Sequence, residues 1–454
     1  RIRLREIIKN SLIMYRVFII IISLVLWVNG SSQVVVTLQQ CIDSALANNI
    51  PAKQKYLLSQ SAAIDWHQSR SNLLPAIGGT IYHGISQGKS IDPSTNNFVN
   101  QSLNYANYQF SGAVTVFNGG SLHNNVKQYA TAYEAAKMEW QQAKDNLVLD
   151  VILAYLQVLN NEDLLTSSMK QADVSRKQLD RYQVLDSQGA IKPSDLTDLK
   201  GQLMNDELAI ITNRNAFENA KLSLNQLMNK PYNKNIQVQR IDVEQFLSAY
   251  KNSSEDVYQN ALQQFSLVKS VELRRKSYEY AVLSAKGQLY PNIFFDGGLT
   301  TRYSSIPQNS TVKVPYNSQL SDNLATFAEV GITIPIFNRS IYRNRIKQAN
   351  IIYKNSELIE QNTKLLLHQQ IDQAYLNMIN AFDRFKISIE QVSAYESSFK
   401  AAEIRFNAGV GTSIDYLTSK DRLDRANISL ISSKYDFVLR KKILDYYNSN
   451  IYNQ

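Results

Sequence analysis

Two stretches of this chain read alike: VFNGGSLHNNVKQY at 116–129 and IFNRSIYRNRIKQA at 336–349. At a constant spacing of 220 residues Phe117 meets Phe337, Asn118 meets Asn338, Asn124 meets Asn344, and Lys127-Gln128 meets Lys347-Gln348. The same spacing continues through Tyr133 and Tyr353, Ala154-Tyr155-Leu156 and Ala374-Tyr375-Leu376, Gly189 and Gly409, Asp195 and Asp415. Upstream the spacing is 216, pairing Ala45-Leu46 with Ala261-Leu262 and Pro75 with Pro291. Self-similarity at fixed spacing marks a duplicated architecture, so whatever one half folds into, the other must also form. The four-residue change falls between Pro291 and Phe337, where a loop of variable length fits. The halves are 33–231 and 253–454, joined by a linker at 232–252.

Each half presents the same order of elements. A helix of roughly 35 residues (Leu38–Asn72 or Glu255–Gln288) closes at Pro75 or Pro291, since proline ends helices. Two alternating segments follow. Then comes a stretch without glycine or proline, 121–188 in the first half and 339–408 in the second. As a helix it would be roughly 100 Å long, against about 11–12 residues for an average globular helix. Val126, Ala130, Tyr133, Trp140, Ala143, Leu147, Val151, Ala154 and Val158 recur at steps of three and four, which is a coiled-coil seam. A glycine turn reverses the chain, and a return helix carries the seam on through Leu196, Leu199, Leu203, Ile210 and Phe217.

The alternating segments have a different period. In NYQFSGAVTVF, Tyr108, Phe110, Val114 and Val116 fall on one face, with Gln109, Ser111, Ala113 and Thr115 on the other. In FAEVGITIPIF, Val330, Ile332, Ile334 and Ile336 oppose Glu329, Gly331 and Thr333. Period two with one apolar and one polar face is the pattern of a membrane-barrel strand. Ala76–Ser86 and Asn292–Ser304 are the partner strands, with polar loops 87–100 and 305–322 between partners. Gln109, Ser111, Thr115, Glu329 and Thr333 are the candidates to line a barrel lumen, and Tyr82, Tyr105, Tyr108 and Tyr303 to form interfacial aromatic belts. Four strands cannot close a barrel, and an open edge in lipid leaves costly unpaired backbone groups. Several chains must therefore share one barrel.

The N-terminal 1–32 reads as an export signal: Arg16, then the apolar run Val17–Val28, then small residues. The formal charge of +9 is a mild bias with no basic-aromatic run, so nucleic acid is not expected as a partner. The lone Cys41 cannot form an intrachain disulfide and reads as a core position of the first helix.

TLQQCIDSALANN (Thr37–Asn49), the junctions LLPAI and LYPNI, the junctions VFNGG and IFNRS, and the turn RFNAGVGTSIDYL (Arg405–Leu417) together resemble the TolC-type outer membrane efflux protein family. No single motif is strong; their order and duplication are. The resemblance covers essentially the whole chain after the signal. It implies a mainly α fold with a membrane β-barrel. Long antiparallel coiled-coil helices would form a periplasmic α-barrel, and four strands per chain would enter a shared 12-stranded barrel. It also implies a homotrimer in the lipid of the outer membrane, docked on an inner-membrane transporter through a periplasmic adaptor protein.

The resemblance also gives the turn a role. Gly189, Gly409, Gly411 and Thr412 would be the periplasmic tip turns, with the glycines supplying the left-handed backbone that ends a helix. Ser194 or Asp195, and Ser413 or Asp415, can cap the return helices. Asp195 and Asp415 match the positions of the family's narrowest ring. Asp198 lies one helical turn beyond Asp195, although its counterpart in the second half is Thr418.

Two rival readings have less support. His67, His83, His123 and His368 are scattered without metal-ligand spacing, and neither a Gly-x-Ser-x-Gly elbow nor a Walker loop occurs. No enzyme activity, cofactor or metal is expected, so energy for transport must come from a partner. A non-channel structural coiled coil of the cell envelope would explain the helices but not the paired alternating strands.

Overall fold

A computed structural model describes residues 35–91, 96–100, 102–188, 192–306 and 314–449. The export segment and Gly189 lie outside the described residues. The elements in chain order are β1 (Val35–Val36), α1 (Leu38–Asn48), α2 (Ile50–Ser71), β2 (Ala76–Ser86), β3 (Lys89–Ile91), β4 (Phe98–Asn100) and β5 (Leu103–Phe117). Then come α3 (Ser121–Ser187), α4 (Pro193–Leu227), β6 (Gln237–Val238), α5 (Ser254–Gln264) and α6 (Ser266–Gly287). The chain ends with β7 (Asn292–Ser304), α7 (Tyr316–Asp322), β8 (Ala325–Thr333), α8 (Ile341–Asn407) and α9 (Ser413–Tyr447). The long helices α3 and α8 have 67 residues each, and the return helices α4 and α9 have 35 each.

The expected 35-residue opening helices are each broken in two. Asn49 (ψ 122°) separates α1 from α2, and Phe265 (ψ 125°) separates α5 from α6. Pro51, in the first turn of α2, is compatible with the first break. The second break has no proline. There Phe265 is buried edge-on against Tyr446, with ring centroids 5.1 Å apart, so packing sets it.

The chain forms two compact units, which cut across the halves of the sequence. Of the described residues, one comprises those up to Asn49 with Asp150–Ala249 and Asn380–Leu439; the other, those of Ile50–Leu149, Tyr250–Ile379 and from Arg440 on. In the first, β1 pairs in parallel with β6. The Tyr155 hydroxyl donates to Gln239 O at 2.5 Å, which fixes the segment after β6 against α3. Arg240 adds ion pairs to Glu162 and Asp163.

The second unit holds a four-stranded antiparallel sheet in the order β2-β5-β7-β8. Its register confirms the two-faced pattern. Gln109 stands opposite Thr80 and Thr300, Ser111 opposite Gly78 and Gly298, and Glu329 opposite Asp296. Gln109, Ser111, Thr115, Glu329 and Thr333 therefore share one face. Ile77, Ile81, Tyr108, Phe110, Phe295, Leu299, Val330 and Ile332 share the other. On the polar face two rings lie over glycines of the next strand, Tyr105 over Gly84 and Phe294 over Gly331, where a Cβ would collide with the ring. Aromatic cover of this kind protects backbone that glycine leaves bare.

Several sequence expectations need correction. Strand β8 stops at Thr333, so Ile334 and Ile336 lie past its end, and a bulge falls between Thr115 and Phe117. Loop 87–100 contains the small β3–β4 ladder, and loop 305–322 contains α7. Gln319 of α7 is buried; it accepts from Ser304 N and donates to Ser304 O, which ties the helix to the end of β7. The four tyrosines do not form one belt. Tyr82 and Tyr105 fall on the polar face, while Tyr108 and Tyr303 meet Tyr316 of α7 on the apolar one.

Candidate functional site at the helical tip turns

Helix α8 ends in a reversal closed by backbone bonds from Gly409, Val410 and Gly411 to Phe406 and Arg405. Gly409 takes φ +73°, its N–H donates to Phe406 O at 3.1 Å, and Val410 N–H donates to Arg405 O at 3.1 Å. This is the Schellman arrangement, which uses a left-handed residue to satisfy the last carbonyls of a helix. Gly411 is not left-handed, contrary to expectation. It approaches the end of α8 closely instead: a Cβ there would stand 3.1 Å from Phe406 N, tighter than ordinary contact.

The caps also differ from expectation. Thr412, not Ser413 or Asp415, caps α9: Asp415 N–H donates to Thr412 Oγ1 at 3.1 Å, and Thr412 Oγ1 donates to Asp415 Oδ2 at 2.8 Å. Asp415 thus sits three residues after the cap and accepts from the capping hydroxyl. In the first half Lys192 occupies the cap position without a side-chain bond, and Pro193 opens α4. Ser194 and Asp195 do not cap it. Asp195 lies in the first turn of α4, where a carboxylate is favoured by the helix dipole.

The helices that flank the first tip, α3 and α4, are bonded to the end of α8 and the start of α9. Ser413 Oγ donates to Asp198 Oδ2 at 3.0 Å, Tyr182 Oη donates to Phe406 O at 3.2 Å, and Gln178 Nε2 donates to Asn407 Oδ1 at 3.1 Å. Tyr182, Phe406 and Tyr416 stack in sequence, with centroids 4.7 and 4.8 Å apart, over Leu179, Leu199 and Leu203. Asp198 and Asp415 are exposed and Asp195 is half-buried. Burial pushes the Tyr182 hydroxyl up, and the nearby Asp195 charge adds to the effect. The structure therefore brings Asp198 to Ser413, two residues from Asp415.

Behind the tip lies a buried charge cluster that the sequence reading missed. Lys420 is 2 % exposed and donates to Asp206 and Asp424, while Ser175 Oγ donates to Asp206 at 2.5 Å. Burial raises the Asp424 carboxyl above its ordinary range, with Lys420 drawing it back. A signal was present: Asp206 falls between Leu203 and Ile210, on the apolar stripe of α4. Among the described residues no cluster could hold a metal ion, and no helix is long and apolar enough to cross a membrane.

The sequence profile of the family described as "outer membrane efflux protein" matches residues 41–230 and 257–441. The chain belongs to the outer membrane efflux protein family. It is accordingly an outer-membrane protein with a large periplasmic portion. It is 25% identical over 383 residues to the outer membrane protein TolC of Vibrio cholerae, spanning 82% of this chain and 81% of that one. It is 21% identical to TolC of Escherichia coli, spanning 89% and 80%. Among solved structures it resembles the CmeC outer membrane channel of Campylobacter jejuni (TM-score 0.78, 15% identity, covering 91% and 86%). It also resembles VceC of Vibrio cholerae (TM-score 0.77, 14%, covering 90% and 95%). At such identities these likenesses establish the fold: long helices with a sheet of barrel strands.

Proposed function

We propose that this chain is the exit duct of a tripartite efflux or secretion system. It conducts substrates passively from an inner-membrane transporter and a periplasmic adaptor protein to the outside. It works as a homotrimer whose twelve strands close one barrel. The observation that carries this reading is the sheet itself. Each of its outer strands, β2 and β8, is paired on one side only among the described residues, and its apolar face exposes Ile77, Ile81, Val330 and Ile332. Unpaired backbone edges are not tolerated in lipid, so further copies must complete the ring.

The polar face with Gln109, Ser111, Thr115, Glu329 and Thr333 then lines the lumen. Gly189, Gly409, Gly411 and Thr412 turn the chain at the periplasmic tip, and Asp195, Asp198 and Asp415 form its constriction. Carboxylates around a small opening repel one another and attract cations. The family and the fold agree with this reading.

The test is to extract the protein from membranes with detergent, measure the particle mass by light scattering, and record conductance in bilayers. A trimer that conducts is expected. A monomer that is stable without detergent and does not conduct would sink the channel reading.

A further inference from the structure

Helix α4 buries a cation far from both the sheet and the tip turns. Lys221 is 5 % exposed, with Nζ 5.0 Å from the centroid of the Phe217 ring. Its Nζ donates to Lys234 O at 2.5 Å. The carboxylate beside it, Glu218, stands off at 3.4 and 3.5 Å, and already accepts from Tyr232 Oη at 2.5 Å. A charge-assisted N–H···O bond closes to about 2.7–2.9 Å, and an ammonium has three donors to place. Among the described residues Lys221 thus has one close acceptor, a neutral carbonyl.

The second half solves the same problem differently. At the spacing of 220, Phe217, Lys221 and Asn225 meet Phe437, Lys441 and Asp445. Burial presses the Lys441 and Lys442 ammoniums below their ordinary range, and the Asp445 charge draws both back. In the first half Asn225 stands where that aspartate would be. It is 2 % exposed, and its Nδ2 donates to Lys221 O at 2.8 Å. A neutral amide brings no counter-charge. A buried charge is costly unless it is paired and hydrogen-bonded, so the first half leaves room for a partner from outside the chain.

That room has a shape. Lys221 lines a cavity of about 210 Å³, together with Lys234, Asn235 and Gln237 of the linker after α4. All four belong to one compact unit. Glu162, the acid on the cavity wall, is paired with Arg240. Two lysines and two side-chain amides therefore line the space against an acid that is already engaged. Pockets for drug-sized ligands run to about 300–1,000 Å³, so this one suits a small ion.

We propose that this cavity binds one small oxoanion, of phosphate or carboxylate type, which does for Lys221 what Asp445 does for Lys441. Lys221 supplies the charge, and Asn235 and Gln237 supply further donors from the linker. The bound anion ties the linker to α4. An oxoanion fits better than a halide, because its several acceptor oxygens match donors carried on two separate segments. The site lies within a single chain and does not rest on the channel reading.

The test uses the full chain in detergent, exchanged into phosphate-free buffer, with inorganic phosphate as the probe. Isothermal titration should show one saturable site per chain, and chloride at equal ionic strength should not compete for it. Amide hydrogen exchange at 234–238 should slow when phosphate is bound. Lys221→Met should weaken phosphate roughly tenfold or more, the effect of losing a charged hydrogen-bond partner, and Lys221→Arg should retain it. Asn225→Asp installs the counter-charge of the second half and should weaken phosphate by the same order. It also keeps the test decisive if Lys221→Met folds poorly. Titration with acetate separates the two types of oxoanion, the tighter binder being the type the site takes. A natural chain without saturable binding overturns the site. So does equal binding by the natural chain, Lys221→Met and Asn225→Asp, which would mark a general salt effect. Displacement by chloride overturns the oxoanion class.

Discussion

Lys420 on α9 reaches across to Asp206 on α4, with Nζ 3.0 Å from Oδ2, and holds Asp424 on its own helix at 2.5 Å. The link joins the helical hairpin of one half to that of the other inside the tip unit. Removing one member of a buried ion pair leaves an uncompensated charge, which typically costs about 3–5 kcal/mol. Lys420→Met should destabilise the protein by that order, read as a lower denaturant midpoint of the helical signal. Replacing Lys420, Asp206 and Asp424 together by apolar residues of similar volume should recover most of the loss.

The same cluster predicts a pH dependence. Asp424 is raised above its ordinary 3.8, chiefly by burial. The folded state therefore holds this proton more tightly than the unfolded state. The stability it contributes is full below about the ordinary value and is lost as pH rises through the raised one. Asp424→Asn should abolish this component. Melting temperatures of the natural chain and the variant, compared from acid to neutral pH, should diverge as pH rises, with the natural chain falling relative to the variant. Parallel profiles would show that Asp424 titrates normally.

At the turn, Gly409 has open space around an added Cβ but a φ of +73°. Gly409→Ala should cost about 1–2 kcal/mol from the left-handed backbone alone, and Gly409→Asn less. Gly411→Ala should act by crowding Phe406 and Arg405 instead. Equal effects of alanine and asparagine at 409 would argue against the left-handed account. Denaturant unfolding of the purified protein measures all three.

Neutralising Asp195, Asp198 and Asp415 to alanine should raise single-channel conductance and weaken block by multivalent cations. Asp198→Ala also removes the acceptor of Ser413, whereas Ser413→Ala breaks that bond and keeps the charge. If the carboxylates act as a charged ring, cation block should weaken with Asp198→Ala and persist with Ser413→Ala. Bilayer recordings in which neither conductance nor block changes would leave the aspartates as parts of the turn only.

Much of this architecture is legible in the sequence because it is periodic. Seam residues at steps of three and four predicted α3 and α4, and the partner strands expected at Ala76–Ser86 and Asn292–Ser304 coincide with β2 and β7. Arg339 and Ser340 take φ 55° and 62°, where Gly119 and Gly120 take 63° and 75°. Duplication thus imposed a left-handed turn on residues that do not favour it, which composition alone would not suggest.

The sequence by itself determined the two-fold order of elements, the length of the long helices and the two faces of the strands. These are local properties, set by side-chain period and by where glycine and proline fall. Only the tertiary structure decided that the second opening helix breaks at Phe265, where it packs on Tyr446, and that Lys420 meets Asp206. Those depend on which side chains meet across elements distant in the chain. A buried charge is favourable only where an opposite charge has been brought to it, and no local period records that meeting.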